Sequence, residues 1–162
     1  IKNIKNATIL RTSWVISPRG KNFILKMLKL HSERKYINVV SDQIGSPTSA
    51  ADLGKVCWEI IKFKHKKNLP FIMHWCDEGM ASWFDIANAI GDIAKELKII
   101  EKKAMINPIN STEYLTLAKR PKYSVLDTLN TVKLLDIKPI NWKKNLRKIL
   151  IEYQQNKNIS LS

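Results

Sequence analysis

Apolar positions recur along this chain in two alternating periods. Residues 8–16 form a β-branched run with little charge that predicts a buried strand, interrupted by Arg11, Thr12 and Ser13 ahead of Trp14. Ser17-Pro18-Arg19-Gly20 predicts a turn, and Asn22 then stands where a helix cap belongs. Phe23, Ile24, Met27, Leu28 and His31 would share one face of that helix, which ends near Arg34. Residues 36–40 predict a second strand. Ser49 can cap the next helix, in which Leu53, Val56, Cys57, Ile60 and Ile61 recur at helical spacing, with Cys57 on the core face. Asn68-Leu69-Pro70 breaks the pattern before a third strand over residues 71–75. Ser82 and Asp85 have the spacing of a capping box at the head of a helix striped by Ile86, Ile90, Ile93 and Leu97. A weaker strand candidate at 104–109, a short helix around 129–135 and a final amphipathic helix carrying Leu146, Ile149, Leu150 and Tyr153 complete the pattern. Residues 154–162 are polar and predict a frayed tail.

Strands alternating with helices indicate an α/β domain with parallel pairing, here one unit over residues 1–153. Two of its loops carry more chemistry than a turn requires. Asp42-Gln43-Ile44-Gly45-Ser46-Pro47-Thr48 places an acid, an amide and two hydroxyls at a strand end, on a backbone shaped by Gly45 and Pro47. Such a loop can hold a polar small molecule, although capping of backbone groups is the plainer use of its Asp, Ser and Thr. The second loop spans residues 110–126. Its Arg120 offers a guanidinium fork for a phosphate or carboxylate on a backbone stiffened by Pro121, the plainer alternative being a surface ion pair. Trp14 offers a flat face able to cover a sugar or base ring, against the commoner use of tryptophan in core packing.

Composition excludes more than it adds. At 162 residues and 44% hydrophobic content the chain can bury a core, while its apolar runs are too short to span a membrane and Ile1-Lys2-Asn3-Ile4 lacks a signal-peptide character. A cytoplasmic protein without a membrane partner is expected. The net charge of +14 invites a nucleic-acid partner, but few of the basic residues are arginines and the lysines are dispersed. The tightest run, Lys62-Phe63-Lys64-His65-Lys66-Lys67, falls at a predicted helix end where cations suit the helix dipole, so no nucleic acid is expected. Cys57 and Cys76 lack a pattern, and His31, His65 and His74 share no ligand spacing; no metal is expected. The five glycines are isolated and form no phosphate-binding loop, and no nucleophile stands with a base.

Leu10-Arg11-Thr12-Ser13-Trp14-Val15, Asn22-Phe23, Met27-Leu28, the block 42–48, Trp83 and Arg120-Pro121 together resemble, in order, the C-terminal half of the dTDP-4-dehydrorhamnose reductase family. That family belongs to the extended short-chain dehydrogenases. The resemblance implies the C-terminal, substrate-binding part of a Rossmann-like fold that lacks its N-terminal dinucleotide-binding part, with residues 8–16 and 71–75 joining the Rossmann sheet. It implies NADPH-dependent reduction of the 4-keto group of dTDP-4-dehydro-L-rhamnose to dTDP-L-rhamnose. NADPH or NADH would be held mostly by the absent half, where the Gly-rich loop and the catalytic Tyr-x-x-x-Lys pair are expected. No catalytic residue is therefore assigned here, and the chain is expected to be a fragment, inactive alone, whose partners are the nucleotide sugar and the missing N-terminal half. By the same resemblance Trp14 would line the sugar pocket, and Asn22, Phe23, Gln43, Thr48 and Arg120 would border the nucleotide-sugar cleft. Thr12 and Ser13 would lie near the nicotinamide, and Asp42 would brace its loop. Some relatives form metal-linked dimers; a homodimer remains open, but Ala51 stands where an acid would be expected, so no metal is carried over. The alternative is a non-catalytic interaction module like the regulatory subunit of methionine adenosyltransferase, which shares this fold.

Overall fold

The computed structural model describes residues 7–64, 68–114, 116, 118 and 120–159; His65, Lys66 and Lys67 of the basic run and residues 160–162 of the expected tail lie outside the described residues. The expected strand at 8–16 is two short strands, β1 (Ile9–Arg11) and β2 (Val15–Ile16). The break has a local cause. Trp14 adopts a left-handed backbone with φ of 44°, which no continuous strand can contain.

Helix α1 (Phe23–Glu33) starts where the pattern placed it, because Asn22 caps it by accepting from the backbone N–H groups of Ile24 and Leu25. It leads into β3 (Tyr36–Val40), and β4 (Ile44–Gly45) and β5 (Thr48–Ser49) lie within the polar connection that follows. Then come α2 (Ala50–Lys64), β6 (Ile72–His74), β7 (Ala81–Ser82) and α3 (Trp83–Glu96). The chain continues through β8 (Met105–Ile109), a 3-10 turn (Ser111–Glu113), α4 (Leu129–Leu135) and α5 (Trp142–Ile159).

The strands associate in pairs. β1 with β6, β2 with β5 and β3 with β8 are parallel, as the alternation predicts, and β4 with β7 is antiparallel. The candidate at 104–109 is a full partner of β3, in register from Tyr36 opposite Met105 to Val40 opposite Ile109. α3 sits at the centre, against α1, α5, β3 and β8. Its predicted capping box is present, with Ser82 Oγ accepting from Asp85 N at 3.0 Å and Ser82 N donating to Asp85 Oδ2 at 2.8 Å. Ile86 and Ile90 on α3 meet Ile24 and Met27 of α1, Ile37 and Ile106 of the β3–β8 pair, and Leu146 and Leu150 of α5 in one buried cluster.

His31 belongs to this interior. It is buried, its Nε2 donates to the Ala87 carbonyl at 3.0 Å, and Gly91 leaves the space that its ring occupies. Burial lowers its pKa, so it packs as neutral imidazole.

Two expectations are corrected. α5 continues through Gln154 to Ile159 rather than fraying at Tyr153, and Gln154 Nε2 anchors that part by donating to the Leu97 carbonyl at 3.0 Å. On α2 only Val56 is buried among the predicted stripe; Leu53 and Ile60 are half-covered, and Cys57, Trp58 and Ile61 are exposed. Cys57 therefore does not face a core. The periodicity was helical, but β5 and α4 cover only one edge of this helix. These two environments predict opposite sensitivities. Leu146→Ala should lower the stability of the chain by about 2–5 kcal/mol, and Ile61→Ser should change it by less than about 0.5 kcal/mol, both read from denaturant unfolding midpoints.

Candidate functional site

Residues 12–14 and the loop 42–49 are fastened together by a short ladder. Thr48 Oγ1 donates to the Ser13 carbonyl at 2.6 Å, Ser13 Oγ donates to the Ser46 carbonyl at 2.6 Å, and Thr48 N donates to the Trp14 carbonyl at 3.2 Å. Thr12 Oγ1 adds a bond to Thr48 Oγ1 at 3.2 Å. A left-handed non-glycine residue costs about 1–2 kcal/mol, and this ladder holds Trp14 in that conformation.

The two polar loops come together. Ile44 exchanges backbone bonds with Lys122 and Ser124, each 2.8 Å, which sets Arg120 and Pro121 beside the first loop. Asp42 pins the start of the second loop by accepting from Ser111 N at 2.8 Å and Ser111 Oγ at 2.9 Å, with Lys122 Nζ 3.7 Å away. Desolvation alone would raise its pKa; the Ser111 bonds and the Lys122 charge outweigh it and hold the carboxylate below its ordinary value. Asp42 is thus a brace, as expected.

Beside these loops lies a cavity of about 850 Å³. Asn22, Phe23, Gln43 and Arg120 line it, which unites four of the six residues proposed for the substrate. Trp14 and Thr48 are not among the lining residues. Thr48 is fully buried, with its hydroxyl on the ladder, and Trp14 is stacked against Trp83, which does line the cavity. Asn22 borders the space with its side chain already engaged: Oδ1 caps α1, and Nδ2 donates to the carbonyls of Ser17 and Arg19. Of the pair expected near the nicotinamide, the Ser13 hydroxyl is engaged on Ser46 and Thr12 is exposed.

The lining also includes Ser111, Tyr114 and Thr116 of the second polar loop, and Lys21, Lys26 and Lys29, which had no role in the sequence reading. Lys26 and Lys29 follow Asn22 at helical spacing, so continuing that face would have found them. Among the described residues, Lys21, Lys26, Lys29 and Arg120 give the lining four cations and no carboxylate, the electrostatics of a site for a multiply charged anion. The Tyr-x-x-x-Lys spacing, expected only in the absent half, does occur once in this sequence. Tyr153 and Lys157 stand four apart on α5, but Tyr153 packs against the core and neither lines the cavity.

A family model described as the RmlD substrate binding domain matches residues 1–155. The chain belongs to this family. It is 38% identical over 143 residues to the dTDP-4-dehydrorhamnose reductase of Aggregatibacter actinomycetemcomitans, covering 87% of this chain and 49% of that protein. It is 36% identical to the spore coat polysaccharide biosynthesis protein SpsK of Bacillus subtilis, covering 91% and 48%. Among solved structures, the dTDP-4-dehydrorhamnose reductase of Bacillus anthracis in complex with NADP superposes with a TM-score of 0.75 at 35% identity, and the orthologue from Clostridium acetobutylicum with 0.78 at 32%. Each comparison covers 91% of this chain and 49% of the other. A UDP-glucuronic acid 4-epimerase of Bacillus cereus, at 20% identity and a TM-score of 0.70, shares the fold. This RmlD-family chain spans about half the length of the curated relatives it matches. Its fold is that of the extended short-chain dehydrogenases, in the C-terminal part.

The residues present do not fit a dinucleotide by themselves. Among the described residues no glycine-rich turn joins a strand to a helix, and β5 and β7 run directly into α2 and α3. Nor do the described residues hold a metal-binding cluster, or a helix long and apolar enough to cross a membrane.

Behind the loop ladder, Asp77 ties the first loop to α5. Its buried carboxylate accepts from Ser49 N at 3.2 Å and from Asn145 Nδ2 at 2.9 Å, and the same amide donates to Asp52 at 2.9 Å. Desolvation raises the Asp77 pKa to about 6, aided by the charge of Asp52 and opposed by the two hydrogen bonds. A carboxyl raised in the folded state binds protons more tightly there than in the unfolded chain, so its contribution to stability declines as pH rises from about 4 to about 6. Asp77→Asn should remove that part of the pH dependence, on the order of 3 kcal/mol, in unfolding midpoints measured across this range.

Proposed function

We propose that this chain is the substrate-binding part of a dTDP-4-dehydrorhamnose reductase and holds a deoxythymidine diphosphate sugar in the 850 Å³ cavity. The observation that carries this reading is the cationic lining, which among the described residues holds no carboxylate. A diphosphate brings two or more negative charges, and Arg120 can meet them with parallel N–H donors while Lys21, Lys26 and Lys29 raise the local potential. Phe23 and Trp83 supply apolar faces for a ring, and Gln43, Ser111 and Thr116 supply donors and acceptors for hydroxyls.

The reaction itself is divided. NADPH or NADH supplies hydride to the 4-keto group when bound by the cofactor half of the enzyme, and this chain's residues bind and orient the sugar toward it. Hydride transfer requires both in register, so the chain alone is inactive. The exposed edge of α2 with Cys57, Trp58 and Ile61, and the exposed Phe71 and Ile72 next to β1, are apolar surfaces suited to such a docked half. The same surfaces would serve a regulatory interaction module, which would differ in taking up no nucleotide sugar.

Calorimetric titration with dTDP tests the reading. The chain should bind dTDP, and Arg120→Ala should weaken binding about 10-fold or more, since a hydrogen-bonded charge contributes roughly 1.5–3 kcal/mol. Affinity should fall as salt is raised, and the chain should oxidise no NADPH with the keto sugar until a cofactor half is added. Turnover by the chain alone, or absence of dTDP binding, would refute it.

A further inference from the structure

One buried polar side chain stands where the helix that forms a wall of the cavity meets the centre of the fold. α1 carries Phe23, Lys26 and Lys29 of the lining, and it packs against α3. Between the two helices His31 of α1 is 1% exposed, and its Nε2 donates to the Ala87 carbonyl of α3 at 3.0 Å. A Cβ placed on Gly91 would lie 2.7 Å from His31 Cε1 and 2.9 Å from Nε2, so a side chain at 91 would displace the imidazole. Alanine is the better helix former in the interior of α3, yet glycine stands there, and close approach of His31 is what it permits. The other ring nitrogen, Nδ1, is out of reach of solvent and has no hydrogen-bond partner among the described residues. This seat satisfies one proton on the ring and offers nothing to a second.

We propose that His31 is a positioning residue of this site: seated on Gly91 and bonded to Ala87, it holds α1 against α3 while the ring carries one proton, and a second proton releases α1 with the cavity wall. That the cavity takes a nucleotide sugar rests on the reading above. The charged groups that act on the ring are Asp92 of α3 and Lys103 of the segment before β8, which pair with each other at 2.6 Å and oppose one another in effect. Desolvation outweighs both and lowers the His31 pKa. A histidine lowered in the folded state gives its full support above the ordinary value of about 6.5, and that support is lost as pH falls below it.

Three measurements on the 162-residue chain test this. In unfolding midpoints, Gly91→Ala should be destabilising in the wild type and neutral or stabilising in a His31→Ala background, because the ring is what it strikes and the Lys103 chain can yield. In hydrogen exchange, the open population of the α1 amides, corrected for intrinsic rates, should rise up to about 10-fold for each pH unit below about 6.5. His31→Gln keeps an N–H for the Ala87 carbonyl but does not titrate, so it should abolish that rise. Asp77, with its pKa of about 6, is common to both chains and cancels in the comparison. The third measurement is calorimetry with dTDP-L-rhamnose, whose diphosphate is esterified at both ends and keeps its charge over this range. Binding should weaken about 5-fold or more in His31→Ala, recover largely in His31→Gln, and weaken with acid in the wild type but not in His31→Gln. Equal effects of Gly91→Ala in the two backgrounds, an exchange profile in His31→Gln that matches the wild type, or wild-type affinity in His31→Ala would each overturn the proposal with the nucleotide-sugar reading intact. If His31→Ala does not fold, the exchange comparison of wild type with His31→Gln decides. No binding of the probe by the wild type would overturn the nucleotide-sugar reading, and exchange and the unfolding midpoints would still decide whether His31 seats α1.

Discussion

The hydrogen bond from the Thr48 hydroxyl to the Ser13 carbonyl joins the two segments on which the rest of this chain is arranged. On one side lies the left-handed turn at Trp14, and on the other the loop that passes from Asp42 to Ser49. Because Thr48 is fully buried, neither partner can exchange this bond for water, so its loss would leave a buried polar group unmatched. Constraint spreads outward from it. Ser49 hands the loop to Asp77 and α5, and Ile44 hands it to the second loop, where Arg120 is presented.

The cavity illustrates a division between groups that shape a site and groups that fill it. Asn22, Asp42 and Thr48 carry the polar atoms that a motif reading assigns most readily to a ligand, yet their hydrogen bonds are with the protein. The charged and aromatic groups Lys26, Arg120, Phe23 and Trp83 line the space, on α1, the second loop and α3, whose ends such bonds and the Ser82–Asp85 box fix. Polar side chains at a strand end are thus used first to satisfy backbone donors and acceptors, and the ligand meets what they hold in place.

Local signals made much of this legible. The Asn22 cap, the Ser82–Asp85 box, and β3 and its parallel pairing depend on nearby residues or on alternation, and the structure contains them. What was not legible depends on distant partners. The pattern at 8–16 is interrupted by Arg11, Thr12 and Ser13 but gives no hint that Trp14 would turn left-handed, since the support for that turn comes from Thr48. The stripe on α2 is helical in period, but period does not say whether anything covers it, and Cys57 is exposed. Trp83 stood in the sequence without a role because stacking partners sixty-nine residues apart are invisible to spacing.

The amide of Asn145 lies between two carboxylates and donates to both, Asp52 and Asp77, from a nearly solvent-free position. Only a group that is neutral, carries two protons on one nitrogen and has this length can do so. Aspartate has the same shape as asparagine but carries neither of these protons. Here that single chemical change would remove both donors and add a third negative charge to a buried pair. The junction that anchors the loop therefore depends on an uncharged side chain between two acids, at a residue far in sequence from every group that faces the cavity.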